Sequence, residues 1–190
     1  MRGLILKQFI KKPFSTGALC SSSKQLAKAI TSEISLDKAK SVVELGPGTG
    51  AVTKHILRSV TPDTKFFAVE LNKELFHVVK KKFPEIRIYN DNALNLSEML
   101  KKENLSHIDV VVSGLPWASF PEKLQDELLS VIVKSLSKGG IFTTFAYIQG
   151  MLLPSAWSFR DRLQRHFSVV KTSPIVWTNI PPAFVYRCRK

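Results

Sequence analysis

A glycine-rich run, VVELGPGTG at Val42–Gly50, constrains this chain more strongly than any other stretch. Its apolar start predicts a short buried strand, and the pattern from Val52 onward predicts a helix. Glycines between a strand and a helix let the backbone approach a ligand where a Cβ would collide, and the first amides of the helix point toward that ligand. We therefore expect Gly46, Gly48 and Gly50 to form a cradle for a nucleotide cofactor.

The spacing of acids and glycines separates two classes of cofactor. A dinucleotide site reads G-x-G-x-x-G and holds a pyrophosphate, whereas this run reads E-x-G-x-G-x-G with Glu44 at its start. A carboxylate there repels pyrophosphate and suits a cationic ligand. A second acid, Glu70, ends the apolar run KFFAVE at the position from which a carboxylate chelates two ribose hydroxyls. An ordinary αβ loop is the alternative, and the two acids together argue against it.

Positive charge is concentrated at the two ends of the chain. The formal net charge of the 190 residues is +13, and residues 1–40 and 151–190 carry +6 each. The middle of the chain is nearly neutral, and 44% hydrophobic residues suit a single domain with a substantial core. Basic ends beside a neutral core suggest an anionic partner, either a membrane surface or a nucleic acid.

The first residues predict a short basic amphipathic helix that Pro13 ends. Its two sides are formed by Ile5, Leu6, Phe9 and Ile10 and by Lys7, Lys11 and Lys12. Such a helix either packs on its own domain or lies in a membrane interface with its lysines toward anionic headgroups. We predict an N-terminal segment at 1–24 and a folded domain at 25–190, without a cleaved leader or a transmembrane span.

Strand and helix patterns alternate along the rest of the chain, which predicts a doubly wound, mostly parallel α/β sheet of seven strands. The predicted strands are Ser41–Leu45, Lys65–Glu70, Ile86–Tyr89, Asp109–Ser113, Ile141–Tyr147, Ser168–Thr172 and Phe184–Cys188. The predicted helices are Lys24–Ser32 with Ser23 as N-cap, Val52–Ser59, Lys73–Lys82, Glu122–Ser137 with Gly139 and Gly140 as its cap, and Ser155–His166. The connection before the last strand is too short for a parallel crossover, so that strand is expected to run antiparallel.

The run at Val42–Gly50 resembles motif I of the class I methyltransferases that use S-adenosylmethionine (SAM), a cofactor with a sulfonium and an amino group. Four segments together resemble the bacterial phospholipid N-methyltransferases that act on phosphatidylethanolamine: Thr16–Ile30, Val42–Gly50, Ser113–Pro121 and Asn179–Arg187. That family is distantly similar to the rRNA adenine dimethyltransferases. The resemblance implies a Rossmann-like fold, SAM, successive methyl transfers to a lipid amine, and a cytoplasmic protein on the inner face of an anionic membrane.

The segment SGLPW after the fourth strand lies where open α/β sheets place their substrates. In the adenine methyltransferases an Asn or Asp precedes the apolar-Pro-aromatic triplet and holds the exocyclic amine. Here Gly114 precedes Leu115, Pro116 and Trp117, which argues against a nucleic-acid substrate. Another aminolipid such as an ornithine lipid, an RNA adenine, and a non-catalytic binding role remain as alternatives.

The resemblance also assigns the cofactor contacts. Glu44, the three glycines, Glu70 and the following Leu71 are expected to bind SAM. In the turn Tyr89–Ala93 the family pattern has an adenine-binding Asp, and Asn92 takes that place, with Asp91 as the alternative and Ala93 beside it.

Methyl transfer to an amine depends on positioning and deprotonation, and the sequence shows neither a nucleophile triad nor a metal-ligand pattern, so no metal is expected. The carbonyls of Ser113 and Gly114 are candidates to orient the amine, next to Pro116. Trp117 is a candidate to wall the amine or stabilise its cationic product, or else it packs under a loop.

Two further candidates lie nearer the C-terminus. Tyr147 either shares the amine proton or has its hydroxyl in water at a strand end. Arg160, together with Arg162 and Arg165, either meets a lipid phosphate or forms a solvated helix face.

Overall fold

The computed structural model of the protein describes residues 23–152 and 154–190. The predicted basic helix with Lys7, Phe9, Lys11 and Lys12 lies outside the described residues. The described α-helices are α1 (Lys24–Thr31), α2 (Ala51–Ser59), α3 (Lys73–Lys82), α4 (Leu96–Lys102), α5 (Glu122–Ser135) and α6 (Pro154–His166). The described strands are β1 (Ser41–Leu45), β2 (Lys65–Val69), β3 (Arg87–Tyr89), β4 (Ile108–Ser113), β5 (Leu136–Tyr147), β6 (Val169–Thr172) and β7 (Ala183–Arg189).

These seven strands form one sheet in the order β3-β2-β1-β4-β5-β7-β6. β1, β2, β3, β4 and β5 pair in parallel, and β7 runs antiparallel to both β5 and β6. The predicted doubly wound sheet with an antiparallel last strand is confirmed. The strand order reverses at β1, and the crevice at the carboxyl ends of β1 and β4 is where such sheets bind ligands.

Alternate residues of the central strands pack on opposite faces of the sheet, as the two-residue period of a strand requires. Val43 and Val111 face a core layer built with α4, α5 and α6, whereas Val42 and Val110 face a layer built with α1 and α2. A smaller cluster joins α3 to β2 and β3 around Val79. Both faces of the sheet are therefore covered, and its carboxyl edge is left to form the site.

The chain departs from the predicted elements in two places. The helix predicted to extend to Ser137 ends at Ser135, and the next strand begins at Leu136, which is fully buried and pairs with Ile108 of β4. The predicted cap at Gly139 and Gly140 is therefore wrong, because both glycines lie inside β5, where Gly139 has φ +77°. Helix α4 was not predicted, although its side chains at Leu96, Met99 and Leu100 are buried at helical spacing.

Helix α1 is fastened to elements from the far end of the chain. Ser23 caps it as predicted, its Oγ accepting a hydrogen bond from the Leu26 amide at 3.1 Å. At the other end, the Arg187 guanidinium of β7 donates to the carbonyls of Ala29 and Ser32 at 2.9 and 3.0 Å. A cation on the last carbonyls of a helix satisfies orphan acceptors and complements the helix dipole.

Candidate active site

The ends of β1, β2 and β4 meet at one edge of the sheet and are joined by backbone hydrogen bonds. The Gly46 amide donates to the Val69 carbonyl at the end of β2 at 2.9 Å, and the Gly114 amide donates to the Leu45 carbonyl at the end of β1 at 2.8 Å. The glycine-rich turn and the SGLPW segment, predicted as two separate sites, therefore lie side by side.

The three glycines of the turn adopt conformations that other residues rarely take. Gly46, Gly48 and Gly50 have φ values of +73°, +58° and +79°. A Cβ built on Gly50 would lie 2.6 Å from Cε2 of Phe83, whereas a Cβ on Gly48 would meet no atom within 4 Å. Gly50 is thus required because Phe83, directly after α3, packs against it. Gly48 faces open space at the position where a ligand would lie.

Glu44 lies beneath this turn and not on its surface. Its side chain is almost fully buried, and Oε2 accepts a hydrogen bond of 2.6 Å from the Thr53 hydroxyl of α2. Burial raises the pKa of Glu44 to about 8, and the nearby Glu70 raises it further, against the lowering effect of the Thr53 bond. The acid ties the strand to the first turn of the helix, and its direct contact with a cofactor stays a prediction.

Glu70 closes the turn from the second strand. Its Oε2 accepts from the Gly48 amide at 3.1 Å and its Oε1 accepts from the Asn72 amide at 2.9 Å. Burial raises its pKa, while these backbone donors act in the opposite direction. The Asn90 side chain donates to the Glu70 carbonyl at 2.9 Å, which fixes the backbone that carries the acid.

The turn after β3 holds the predicted adenine-binding residues. Asp91 accepts from the Asn92 amide at 2.7 Å and from the Asn95 side chain at 2.8 Å, so its carboxylate is engaged within the turn. Asn92 is buried, and its Oδ1 accepts from the Leu94 amide at 2.9 Å, capping a 3₁₀ turn that begins at the buried Ala93. Leu71, half-buried, packs against the main core cluster. Which of Asp91 and Asn92 meets an adenine ring stays open.

The chemistry of this edge fits a cationic nucleoside cofactor. Two buried acids lie close enough for the charge of Glu70 to act on Glu44. In the described residues the hydrogen bonds to these carboxylates come from a hydroxyl and from backbone amides, and not from a basic side chain. A sulfonium would attract these carboxylates in their ionised form, whereas a phosphate would repel them.

Gly114 is in closer contact with the glycine-rich turn than any other residue type would allow. A Cβ built on it would lie 2.5 Å from the Gly46 carbonyl oxygen, a distance that requires the backbone to move. Its neighbour Leu115 in turn lies 3.0 Å from a Cβ built on Gly46. The absence of a side chain at position 114 is thus part of how β1 and β4 are joined.

For Trp117 the structure favours the second of the two predicted roles, packing under a loop. The Trp117 ring is buried at 2% exposure, stacked on Phe159 at 5.0 Å, and its Nε1 donates to the Ser113 hydroxyl at 3.1 Å. Its prediction as a wall or cation–π partner for the amine is therefore not supported, because the ring supports the loop from within the core. Ser113 is fully buried and its carbonyl accepts from the Thr144 hydroxyl at 3.0 Å. Gly114 is half-buried and Pro116 exposed at the same edge.

Tyr147 lies on the face of the sheet opposite Trp117, whereas Arg160 and Arg162 belong to α6, the helix whose Phe159 stacks on Trp117. Tyr147 is half-buried at the end of β5 and packs with Phe145 on the sheet face of α1 and α2, opposite the face of Trp117. On α6, Arg160 is exposed. Arg162 is buried and paired with Glu122 and Asp126 at 2.8 and 2.9 Å, so it is not available for a lipid phosphate.

Three residues of this edge were missed by the sequence analysis: Thr53, Asn90 and Thr144. In each case the side chain of the missed residue donates a hydrogen bond to a residue of the predicted site. The sequence was sufficient to find Thr53. This residue lies at the start of the predicted helix, and only the glycine-rich loop separates it from the strand that carries Glu44. The other two act across the sheet, and only the strand order places them there.

This fold and this edge define a class I SAM-dependent methyltransferase. The O-methyltransferase from Bacillus cereus, solved in complex with SAH, superposes with a TM-score of 0.70 at 11% identity over 98% of this chain and 91% of that one, a likeness of fold. Residues 13–168 match the family described as Ribosomal RNA adenine dimethylase, and the chain belongs to that family. The predicted methyltransferase class and SAM cofactor are confirmed.

Curated relatives carry two different names. An ornithine lipid N-methyltransferase from Singulisphaera acidiphila is 30% identical over 98% of this chain and 94% of its own length. A ribosomal RNA small subunit methyltransferase A from Hydrogenobaculum sp. is 28% identical over 67% of this chain and 49% of its own length. The phosphatidylethanolamine substrate implied by the sequence resemblance stays a prediction.

The described residues form neither a metal-ligand cluster nor a membrane-spanning helix. They contain no group of three or more His, Cys, Asp or Glu side chains placed to hold a metal ion. In the same part of the chain, no helix has the length and apolar character needed to cross a bilayer.

Proposed function

We propose that this protein transfers methyl groups from SAM to the primary amine of a membrane aminolipid, with an ornithine lipid as the first candidate and phosphatidylethanolamine as the second. The observation that carries the proposal is the similarity to an ornithine lipid N-methyltransferase over 98% of the chain. The match to the rRNA methyltransferase covers 67% of the chain. The implied location is the inner face of an anionic membrane.

The contact at Gly114 supports a lipid amine over a nucleobase. The adenine methyltransferases anchor the exocyclic amine with an Asn or Asp at this position, and here a Cβ would lie 2.5 Å from the Gly46 carbonyl oxygen. A planar base amine without that anchor loses its hydrogen-bond partner, and leaving such a group unpaired is costly. A flexible headgroup amine can instead be directed by backbone oxygens at the same edge.

The cofactor is held by groups from three strand ends. In this proposal Glu70 accepts the two ribose hydroxyls, Asn92 or Asp91 meets the adenine, and the open side of Gly48 faces the ligand. Glu44 acts from below the turn, where its hydrogen bond with Thr53 holds the end of β1 to the first turn of α2. When bound, SAM supplies an electrophilic methyl group on a sulfonium.

The protein contributes positioning and proton removal. The amine attacks in line only when it is neutral, so the ammonium of the lipid must first lose a proton. The Gly114 carbonyl is proposed to orient the amine, because Ser113 is fully buried and its carbonyl already accepts the Thr144 hydroxyl. Tyr147, at the end of the neighbouring strand, is proposed to share this proton: its hydroxyl oxygen accepts a hydrogen bond from the ammonium and its own proton passes to water.

The test is a substrate panel with labelled SAM. Purified protein is incubated with ornithine lipid, phosphatidylethanolamine, phosphatidylserine and rRNA transcripts, and the products are identified by mass spectrometry. We expect methylated ornithine lipid or methylated phosphatidylethanolamine and no methylated RNA. Methyladenine in the RNA without any lipid product would reject the proposal, and so would the absence of every product from protein that binds SAM.

A further inference from the structure

The connection between β6 and β7, Ser173–Pro182, exposes apolar side chains to an unusual degree. We call it the β6–β7 loop. Trp177 is 69% exposed and Ile180 is 76% exposed, the two highest values among the large hydrophobic residues that the structure describes. Ile175 in the same loop is 40% exposed. Single exposed apolar residues are ordinary, whereas three of them within one ten-residue loop indicate an interaction surface.

The loop is held firmly, so this exposure belongs to a fixed surface. The Val176 amide donates to the Ala183 carbonyl at 2.7 Å, and the Asn179 amide donates back to the Val176 carbonyl at 3.2 Å. These bonds close a tight turn whose two central residues are Trp177 and Thr178. Turn centres usually carry Gly, Asn, Asp or Ser, and a tryptophan there gains nothing for the turn itself.

The loop lies at the same edge of the sheet as the active site. The Ile148 amide, directly after β5, donates to the Pro182 carbonyl at 2.9 Å, and Tyr147 pairs with Ala183. β7 is two positions from β4 in the sheet, which corresponds to about 10 Å at the usual strand spacing. The loop and the Gly114 end of β4 therefore share one edge of the sheet.

The β6–β7 loop carries no charged side chain, whereas the sequence that precedes Ser23 is basic. No charged residue occurs between Lys171 and Arg187, so placing the tip in an apolar layer desolvates no charge. The Ser23 amide donates to the buried Asn179 side chain of the loop at 2.9 Å. The first described residue is therefore bonded to this loop, and the sequence that precedes it, residues 1–22, contains four Lys/Arg and no acid.

We infer that the β6–β7 loop is a membrane contact that inserts Trp177 and Ile180 into the interfacial layer of an anionic bilayer. Tryptophan prefers the headgroup level, where its ring is apolar and its N–H is wet. The basic residues of the adjoining segment are attracted by the anionic surface while the uncharged tip enters it. The inference rests on the proposed function in naming a lipid bilayer as the partner.

Two other kinds of partner for the β6–β7 loop, a second copy of the chain and a nucleic acid, fit the observations less well. A stable dimer interface uses roughly 20 to 30 residues on each side, far more than this patch offers. A nucleic acid is bound through basic side chains, and the tip has none.

The test is vesicle binding by the full chain, with sedimentation of phosphatidylglycerol–phosphatidylethanolamine vesicles as the measurement. The variant is Trp177→Ser/Ile180→Ser, with Trp177→Phe as the conservative change. The matched control is Val78→Ser, because Val78 is 46% exposed on α3, which packs at the β3 end of the sheet. We expect the double variant to bind vesicles at least about tenfold more weakly, since two interfacial side chains are lost, and the other two to bind like the parent within about threefold.

Further measurements separate the failure of this inference from that of the proposed function. The double variant should keep its melting temperature, its SAM affinity and its turnover of a short-chain aminolipid dissolved as monomer. Unchanged vesicle binding would overturn the membrane contact even if lipid is methylated. A parent dimer that dissociates in the double variant would overturn it in favour of a second copy. Weakened vesicle binding by a protein that methylates no lipid would keep the contact and reject the proposed function.

Discussion

The two halves of the carboxyl edge are built in different ways. At the ends of β1, β2 and β3 the site consists of buried acids, positive-φ glycines and backbone amides. Hydrogen bonds hold them together, such as the one that the Gly48 amide donates to the Glu70 carboxylate. At β4, β5 and β7 it consists of a glycine pressed against a carbonyl, a buried tryptophan, and a loop that exposes apolar side chains. The first half recognises a small charged molecule of fixed shape, and the second half faces a large acceptor that reaches the site from outside.

The residues that select the cofactor are therefore separate from those that select the methyl acceptor. At this edge the Gly114 amide, which donates to the Leu45 carbonyl, joins the halves in continuation of the β1–β4 pairing. Changes in the first half should alter SAM binding for every acceptor, whereas changes in the second half should alter acceptor turnover with SAM affinity preserved.

The largest expected effect is that of Glu70→Ala. Losing two hydrogen bonds from ribose hydroxyls to a charged acceptor should weaken SAM by about 100-fold, at ~1.5 kcal/mol for each bond. Isothermal titration calorimetry measures the dissociation constant. Glu70→Gln, which keeps the shape and one acceptor, should lose less. A dissociation constant unchanged in Glu70→Ala would remove this residue from the cofactor site.

Gly114→Asn tests the contact between the two halves. The new Cβ meets the Gly46 carbonyl oxygen, so we expect the variant to lose about 1 to 3 kcal/mol of unfolding free energy and most of its methyltransferase activity. Denaturant unfolding and a lipid methylation assay are the measurements. The control is Gly150→Ala, where a Cβ meets no atom within 4 Å and stability should hold. If the Asn variant instead gained activity on adenine, the acceptor half would be a nucleobase site.

The pH dependence of stability tests the buried acid of the first half. Because the folded-state pKa of Glu44 is raised to about 8, folding favours its protonated form, and stability is lost as the pH rises from the unfolded value of 4.5 through the folded one. The slope for one proton is at most about 1.4 kcal/mol per pH unit. Glu70, whose pKa is also raised, adds to it.

Glu44→Gln should flatten this profile between pH 5 and pH 8 without abolishing it, because Glu70 still titrates. Urea unfolding of the cofactor-free protein at several pH values supplies the comparison. Parallel profiles for parent and variant would mean that Glu44 is ionised in the folded protein.

Trp117→Phe is expected to have the smallest effect. It keeps an aromatic ring against Phe159 and removes the Nε1 bond to Ser113, which is worth about 1 kcal/mol of stability. KM for the lipid should not change, because the buried ring does not reach the acceptor. A KM raised tenfold at unchanged stability would restore Trp117 as a wall of the substrate site.

Local patterns were enough to predict most of the fold and the first half of the site. Strand β1, the glycine-rich turn and Glu70 lie close together in sequence, and alternation of strands with helices determines the parallel sheet. The antiparallel last strand followed from a connection too short for a crossover. These inferences needed only chain geometry over short distances.

The second half depends on contacts that local patterns do not contain. The burial of Trp117 follows from its packing on Phe159, and the early end of α5 follows from the pairing of Leu136 with Ile108. In each case a partner distant in sequence decides the outcome, and only the assembled sheet brings the two together.

The Arg187 clamp on α1 has a consequence for how the chain matures during translation. Ala29 and Ser32 leave the ribosome early, but Arg187 of β7, whose guanidinium donates to their carbonyls, is synthesised more than 150 positions later. Until then the open edge of β5 has no neighbour either. The nascent protein therefore remains incomplete and in need of protection from aggregation until β7 is synthesised and fixes α1, the first helix that the structure describes.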